Sequence, residues 1–213
     1  MAGEITALKI QRRNKDRVSI YLDGEYAFSL KTIVAASLGR GDYLSDKRIK
    51  ELQIEDSFEK AHDQALNYLS YRPRSNAEVS RYLRDKKVPP AVSETVLQRL
   101  SAAGLLDDLA FAQYWVENRE AFKPRGRRLL RQELRQKGIN DDLIGEVLDE
   151  VDEEESAYQA ASKQASRYAG LDDELYRQKM QNFLRRRGFA YEVIRETISH
   201  LLHQREEERA IDV

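Results

Sequence analysis

Arg128, Arg131 and Arg135 stand at i, i+3 and i+7, a spacing that sets three guanidiniums along one face of an α-helix. Guanidinium forks grip phosphate or carboxylate oxygens, so the chemistry of such a row is anion binding and not bond making. The row lies in a denser cluster. Residues 119–137 hold eight Lys and Arg, including Lys123, Arg125, Arg127 and Lys137, against Glu120 and Glu133. Residues 138–155 reverse the sign, with nine Asp and Glu and no Lys or Arg. A segment of two signs can meet phosphates on one face and a protein on the other. Opposing a helix dipole is the alternative role for such cations, but that needs only one or two of them.

The cations recur with a period. Apolar pairs at i and i+4 occur three times, as Val79/Leu83, Leu130/Leu134 and Met180/Leu184, with second members 51 and 50 residues apart. Five residues beyond each come Val88, Ile139 and Phe189, then Val92, Leu143 and Val193, then Leu100, Val151 and Leu201. Such self-similarity marks an array of modules stacked on one another and not a single enclosed reaction pocket. Arg84, Arg135 and Arg185 follow the second anchor by one residue; Lys86, Lys137 and Arg187 follow it by three. The turn Arg72-Pro73-Arg74-Ser75 recurs as Lys123-Pro124-Arg125-Gly126, whereas the third copy has Glu174-Leu175-Tyr176. Proline can hold the flanking charges rigidly, and it can equally make an ordinary turn.

Other candidate chemistries fail on residue type. Asp107-Asp108, Asp141-Asp142 and Asp172-Asp173 sit where helices should begin, which N-capping and the helix dipole explain without catalysis. His200 and His203 lack enough neighbouring ligands for zinc, and His62 is isolated in a helix. No phosphate-cradling Gly-x-x-x-x-Gly-Lys loop is present. Phe111, Tyr114 and Trp115 are expected in the core of the second repeat. A helix–turn–helix reading would send the helix near 140–150 into a DNA groove, yet Asp141, Asp142, Glu146, Asp149 and Glu150 would be repelled there. The expectation is therefore a binding protein with no catalytic, cofactor-binding or metal-ligating set.

The elements that must position these cations can be read along the chain. Residues 5–10, 18–22 and 26–30 alternate apolar with polar, and Asp23-Gly24 is a strong hairpin signal. A short helix at 32–38, breaks at Gly39 and Gly41, and a helix at 46–53 capped by Ser45 complete a small β-rich domain over 1–56. From Phe58 the pattern is helical, with an apolar stripe at Ala65, Leu66 and Leu69. Ser75 and Glu78 make a capping box, Pro89-Pro90 open a helix, and Gly138 and Gly188 mark turns. The reading is mainly α: three three-helix repeats, 57–106, 107–155 and 156–213, in an elongated array behind the β-rich domain. The charged end, about 205–213, is expected to fray.

Composition agrees. The 213 residues are 41% hydrophobic and 34% charged, with net charge −1, so charged surface is plentiful relative to core. There is no cysteine, which fits a reducing cytoplasm and rules out disulfides and thiolate chemistry. The first residues lack a signal-peptide pattern, and the longest apolar run, Ile33–Ala36, is too short to cross a bilayer.

Several stretches together resemble the RecX regulatory family. They are Ala65-Leu66-Asn67-Tyr68-Leu69-Ser70-Tyr71-Arg72-Pro73-Arg74-Ser75 with Glu78 and Leu83, then Leu106-Asp107-Asp108, Phe111-Ala112 and Trp115-Val116-Glu117-Asn118-Arg119. Gly126, Glu133-Leu134-Arg135-Gln136-Lys137-Gly138-Ile139 and the N-terminal Val18–Tyr26 extend the likeness. Leu105 stands where the family pattern has an aromatic, and repeat three diverges. The resemblance implies a non-enzymatic, monomeric, cytoplasmic modulator of the RecA recombinase, acting in homologous recombination, DNA repair and the SOS response. It implies binding in the groove of the RecA–single-stranded DNA filament, with restraint of ATP hydrolysis, strand exchange and co-protease activity. Arg72, Arg74, Arg84, Lys86, Lys123, Arg125, Arg127, Arg128, Arg131, Arg135, Lys137, Arg185 and Arg187 are the expected RecA- and DNA-binding residues. The alternative is a sequence-nonspecific binder of single-stranded or duplex DNA.

Overall fold

The alternating residues near the start form an antiparallel sheet of order β3-β2-β1-β4, with β1 Gly3–Ile10, β2 Arg17–Leu22, β3 Glu25–Lys31 and β4 Tyr43–Leu44. A computed structural model of the chain describes residues 2–211. Asp23 and Gly24 both have positive φ, 49° and 91°, as a two-residue type I′ hairpin turn requires. Ile5, Ile20 and Leu30 point into a fully buried core beside Leu52. The helix expected at 32–38 is the single turn α1, Thr32–Ala35.

The helices expected at 46–53 and 58–70 are one. Helix α2 runs unbroken over Asp46–Leu69, with Ser45 accepting from the Arg48 amide. Nothing between Asp46 and Leu69 is a glycine or proline, so no residue forces a break. Buried Asp56 sits midway along it, accepting from the Lys31 amide (2.6 Å) and pairing with Arg17 (3.3 Å) and Lys60 (2.7 Å). The first half of α2 covers the sheet through Ile49 and Leu52. Its second half packs Ala61 and Ala65 on α3, Asn76–Asp85, and α4, Pro90–Ala102. Leu66, read as part of the apolar stripe, faces solvent instead. The chain divides into two compact units between Leu106 and Asp107.

The second unit carries α5 Asp108–Phe122, α6 Arg127–Gln136 and α7 Asp141–Asp149, then α8 Glu153–Ala165, a 3₁₀ turn Ser166–Tyr168, α9 Asp173–Arg186 and α10 Tyr191–Ile211. The acid pairs sit at helix starts as expected. Asp107 accepts from the Leu109 and Ala110 amides, Asn140 from Leu143 just ahead of Asp141-Asp142, and Asp172 from Leu175. All six anchors of the threefold pattern are fully buried. Each middle helix ends in the same way: Val88, Ile139 and Phe189 donate to the carbonyls of Leu83, Leu134 and Leu184, closing a left-handed cap at Lys87, Gly138 and Gly188. Lys87 is the departure, since its φ of 61° costs a non-glycine residue about 1 kcal/mol.

Two further expectations are corrected. Tyr114 is 40% exposed and lies outside the core that buries Phe111 and takes one side of Trp115. The expected fray is helical as far as Ile211: Arg209 pairs with Asp173 at 3.1 Å, and Arg205 donates to the Leu171 carbonyl at 2.8 Å. Residues 212–213 of that stretch lie outside the described residues.

Candidate anion-binding groove

Helix α6 buries Leu130, Glu133 and Leu134 on one side, which leaves Arg128, Arg131 and Arg135 exposed on the other. These three line one wall of a groove of about 710 Å³, together with Arg127, Gln132, Gln136 and the single carboxylate Glu153. Gly188, Phe189 and Ala190, from the turn between α9 and α10, are also in its lining, so repeats two and three build it jointly. Glycine makes the close approach between them feasible. A Cβ on Gly126 would fall 2.3 Å from the Gly188 carbonyl oxygen, and one on Gly188 would fall 2.5 Å from the Leu129 Cβ. The Gly126 amide donates to the Arg187 carbonyl (3.0 Å), and Arg187 Nη1 donates to the Pro124 carbonyl (3.0 Å). The arginine row extends about 10 Å along the helix, enough for two or three phosphates of one strand.

The cations of the groove do different work. Arg127 is half-buried; its amide donates to Glu153 (3.1 Å) and its Nη2 to the Val151 carbonyl (2.6 Å), so it ties α6 to the start of α8. Arg135 Nε donates to Asp141 Oδ1 at 2.7 Å on the surface, and that hydrogen bond holds the Asp141 carboxyl below its ordinary range, with the Arg135 and Arg131 charges adding to it. Arg128 and Arg131 have no ion pair among the described residues. The row is therefore two available guanidiniums and a third tethered to an exposed acid.

Outside the groove the remaining candidates separate into structural and exposed groups. Arg72 lies across Glu78, with contacts of 2.9 and 3.2 Å, and also donates to the Pro73 carbonyl. Arg74 covers the Tyr68 ring at 3.9 Å. Arg125 pairs with Glu133, which also accepts from Trp115 Nε1 (2.8 Å) and Arg119 Nε (2.9 Å). Burial, with repulsion from Arg119 and Arg187, lowers the Arg125 pKa; burial alone lowers that of Arg187. Lys137 and Lys86 lie over the rings of Trp115 (4.7 Å) and Tyr82 (5.5 Å). Arg84, Lys123 and Arg185 are exposed, and Arg185 donates to Asn182 on its own helix.

A small sheet followed by three-helix modules is also the architecture of the proteins this chain is similar to. Family models match over most of the chain: the RecX N-terminal domain at 3–45 and the first, second and third RecX three-helix domains at 61–100, 107–148 and 152–198. Regulatory protein RecX of Bacillus pumilus is 34% identical over 211 residues, spanning 96% of this chain and 80% of the relative. That of Bacillus subtilis is 34% identical over 209 residues, spanning 96% and 79%. A crystal structure of regulatory protein RecX superposes with a TM-score of 0.73 at 32% identity, covering 94% of this chain and all of the other.

The chain belongs to the RecX family.

The RecX modules thus carry both an arginine groove and residues that the spacing alone did not reveal. Gln132, Gln136 and the Gly188–Ala190 turn line the groove, and only the Gly126 and Gly188 turn signals hinted at the turn's role. Among the described residues one group could approach a metal ion, Glu59, His62 and Asp63 at i, i+3 and i+4 on α2. Arg99 already pairs with Glu59 (3.5 Å) and Lys31 with Asp63, so both carboxylates are neutralised within this RecX chain. No helix among the described residues is long and apolar enough to cross a membrane.

Proposed function

We propose that this protein docks on the RecA–single-stranded DNA filament in the cytoplasm and restrains ATP hydrolysis, strand exchange and co-protease activity, without catalysing a reaction itself. The working units are 1–56, 57–106, 107–155 and 156–213, and the anion-binding face is the groove of the last two. The observation that supports this is the exposed row Arg128, Arg131 and Arg135, facing open space in a member of a regulatory family. Guanidiniums on a rigid helix match phosphate or carboxylate oxygens in fixed positions, which suits a repeating polyanionic or acidic surface.

The test is DNA-dependent ATP turnover by RecA titrated with this protein. Reversing Arg128, Arg131 and Arg135 to Glu should abolish the inhibition while circular dichroism stays unchanged, because these side chains lie outside the core. Inhibition that survives the triple reversal excludes the groove.

The same arginines also support a second reading, binding to DNA alone. Affinity for bare single strands would then fall with log salt at about −0.7 per phosphate contacted. Tight binding seen only when recombinase is present decides against it.

A further inference from the structure

The two most exposed large apolar side chains among the described residues are Tyr71, 76% exposed, and Phe122, 78% exposed. They are 51 residues apart, the period that relates the first two repeats, so they occupy equivalent positions. Phe122 is the last residue of α5, and Tyr71 lies in the turn directly after α2. Each immediately precedes the cation-proline-arginine turn, Arg72-Pro73-Arg74 or Lys123-Pro124-Arg125.

Their ring faces are open while their neighbours' faces are covered. Arg74 covers Tyr68 and Lys86 covers Tyr82; Arg119 and Lys137 flank Trp115. Among the described residues neither Tyr71 nor Phe122 meets another ring or carries a cation over its face. An exposed ring contributes nothing to the fold's core, and here the same uncovered position occurs in two modules.

The surroundings point to one class of ligand. A ring that anchors a protein interface sits inside an apolar patch that sheds water on docking. Ser70 and Arg72 flank Tyr71, and Ala121 and Lys123 flank Phe122, so along the chain each ring stands between small or charged residues. A flat aromatic face beside a cation is the pairing that holds single-stranded nucleic acid, with a base on the ring and its phosphate on the charge. Lys123 is exposed and has no ion pair among the described residues, so its ammonium is available. Arg72 is held by Glu78, which fixes the turn next to Tyr71.

We propose that Tyr71 and Phe122 are stacking platforms for unpaired nucleobases, one in each of the first two repeats, with Lys123 taking the phosphate beside the second. This goes beyond docking on a recombinase filament, because it predicts direct contact with the bases of the strand.

The experiment uses the full chain without recombinase. Fluorescence anisotropy compares a labelled oligothymidine with an abasic strand of equal length and charge. Phe122→Ala and Tyr71→Ala should each weaken oligothymidine binding about five- to 100-fold and leave abasic binding unchanged. Phe122→Tyr and Tyr71→Phe should retain the wild-type affinity, and Lys123→Ala should flatten the salt dependence on both strands by about 0.7. Unchanged oligothymidine affinity in both alanine variants overturns the proposal, and so does an equal loss on both strands. A loss confined to filament inhibition, with bare-strand affinity intact, also overturns it and makes the rings protein anchors. Charge reversal of Arg128, Arg131 and Arg135 tests the groove separately, so either idea can fail alone.

Discussion

Repeats one and two solve the same packing problem with different chemistry. At four positions 51 residues apart, the first repeat has Tyr68, Arg74, Tyr82 and Lys86, and the second has Arg119, Arg125, Glu133 and Lys137. In repeat one the two tyrosine rings stack 4.2 Å apart and nearly parallel, with Arg74 on one side and Lys86 on the other. In repeat two the ring pair is replaced by a charge pair: Glu133 gathers Arg119, Arg125 and the Trp115 indole. Arg119 and Lys137 also lie over the Trp115 ring, 4.3 and 4.7 Å from its centre. The buried anchors and the left-handed caps are shared, so the backbone does not depend on which solution surrounds it. Periodic recurrence of a cation is consequently poor evidence of a ligand. Arg74 and Arg125 recur in register and both serve the fold, whereas Arg128 and Arg131 do not recur in register and face the groove.

The comparison can be broken at its centre. Glu133→Ala leaves Arg119 and Arg125 partly buried with no counter-charge, and should cost repeat two about 3–5 kcal/mol. Tyr82→Ala removes a half-buried ring and its stack, and should cost repeat one about 2 kcal/mol. Urea denaturation followed by Trp115 fluorescence should show the first change and not the second. Equal responses to both would mean that the charge hub is no more than a surface pairing. The caps give a second contrast. Gly188→Ala combines a positive φ with a Cβ driven into Leu129, and should cost about 2–4 kcal/mol. Lys87→Gly, at the equivalent position of repeat one, should instead raise stability by about 0.5–1 kcal/mol.

Much of this architecture was legible in the chain because spacing alone determines it. The i, i+4 anchors, the glycine caps at 138 and 188, the Asp-Gly hairpin and the acidic N-caps are local devices, and each is found where its pattern places it. The continuity of α2 was hidden because a change from sheet to repeat suggests a boundary, although no residue between 46 and 69 could enforce one. Which arginines are free was not legible at all. Arg125 and Arg128 look alike in sequence, and only Glu133, eight residues beyond Arg125 on the buried side of α6, separates the strut from the open cation. The far wall of the groove lies some 60 residues from its arginines, and its proximity depends on two glycines that read merely as turns.

A smaller effect sharpens the same contrast. Glu120 occupies the position that Leu69 fills in repeat one, where Leu69 packs against the core. Burial pushes the Glu120 carboxyl above its ordinary value of 4.5, and repulsion from Glu117 and Asp152 adds to this, against a hydrogen bond from Ser156. A raised carboxyl means that the folded chain binds the proton more tightly than the unfolded chain does. Its contribution is therefore fully present below about pH 4.5 and is lost as pH rises through the folded-state pKa. At pH 7 the charge at this site works against repeat two. Glu120→Gln should raise the melting temperature at pH 7.5, with the gain shrinking toward zero near pH 4. Glu120→Leu, which imports the solution of repeat one, should raise it further through added apolar contact. A gain for Gln that persists undiminished at pH 4 would assign the effect to packing and remove the charge from the explanation.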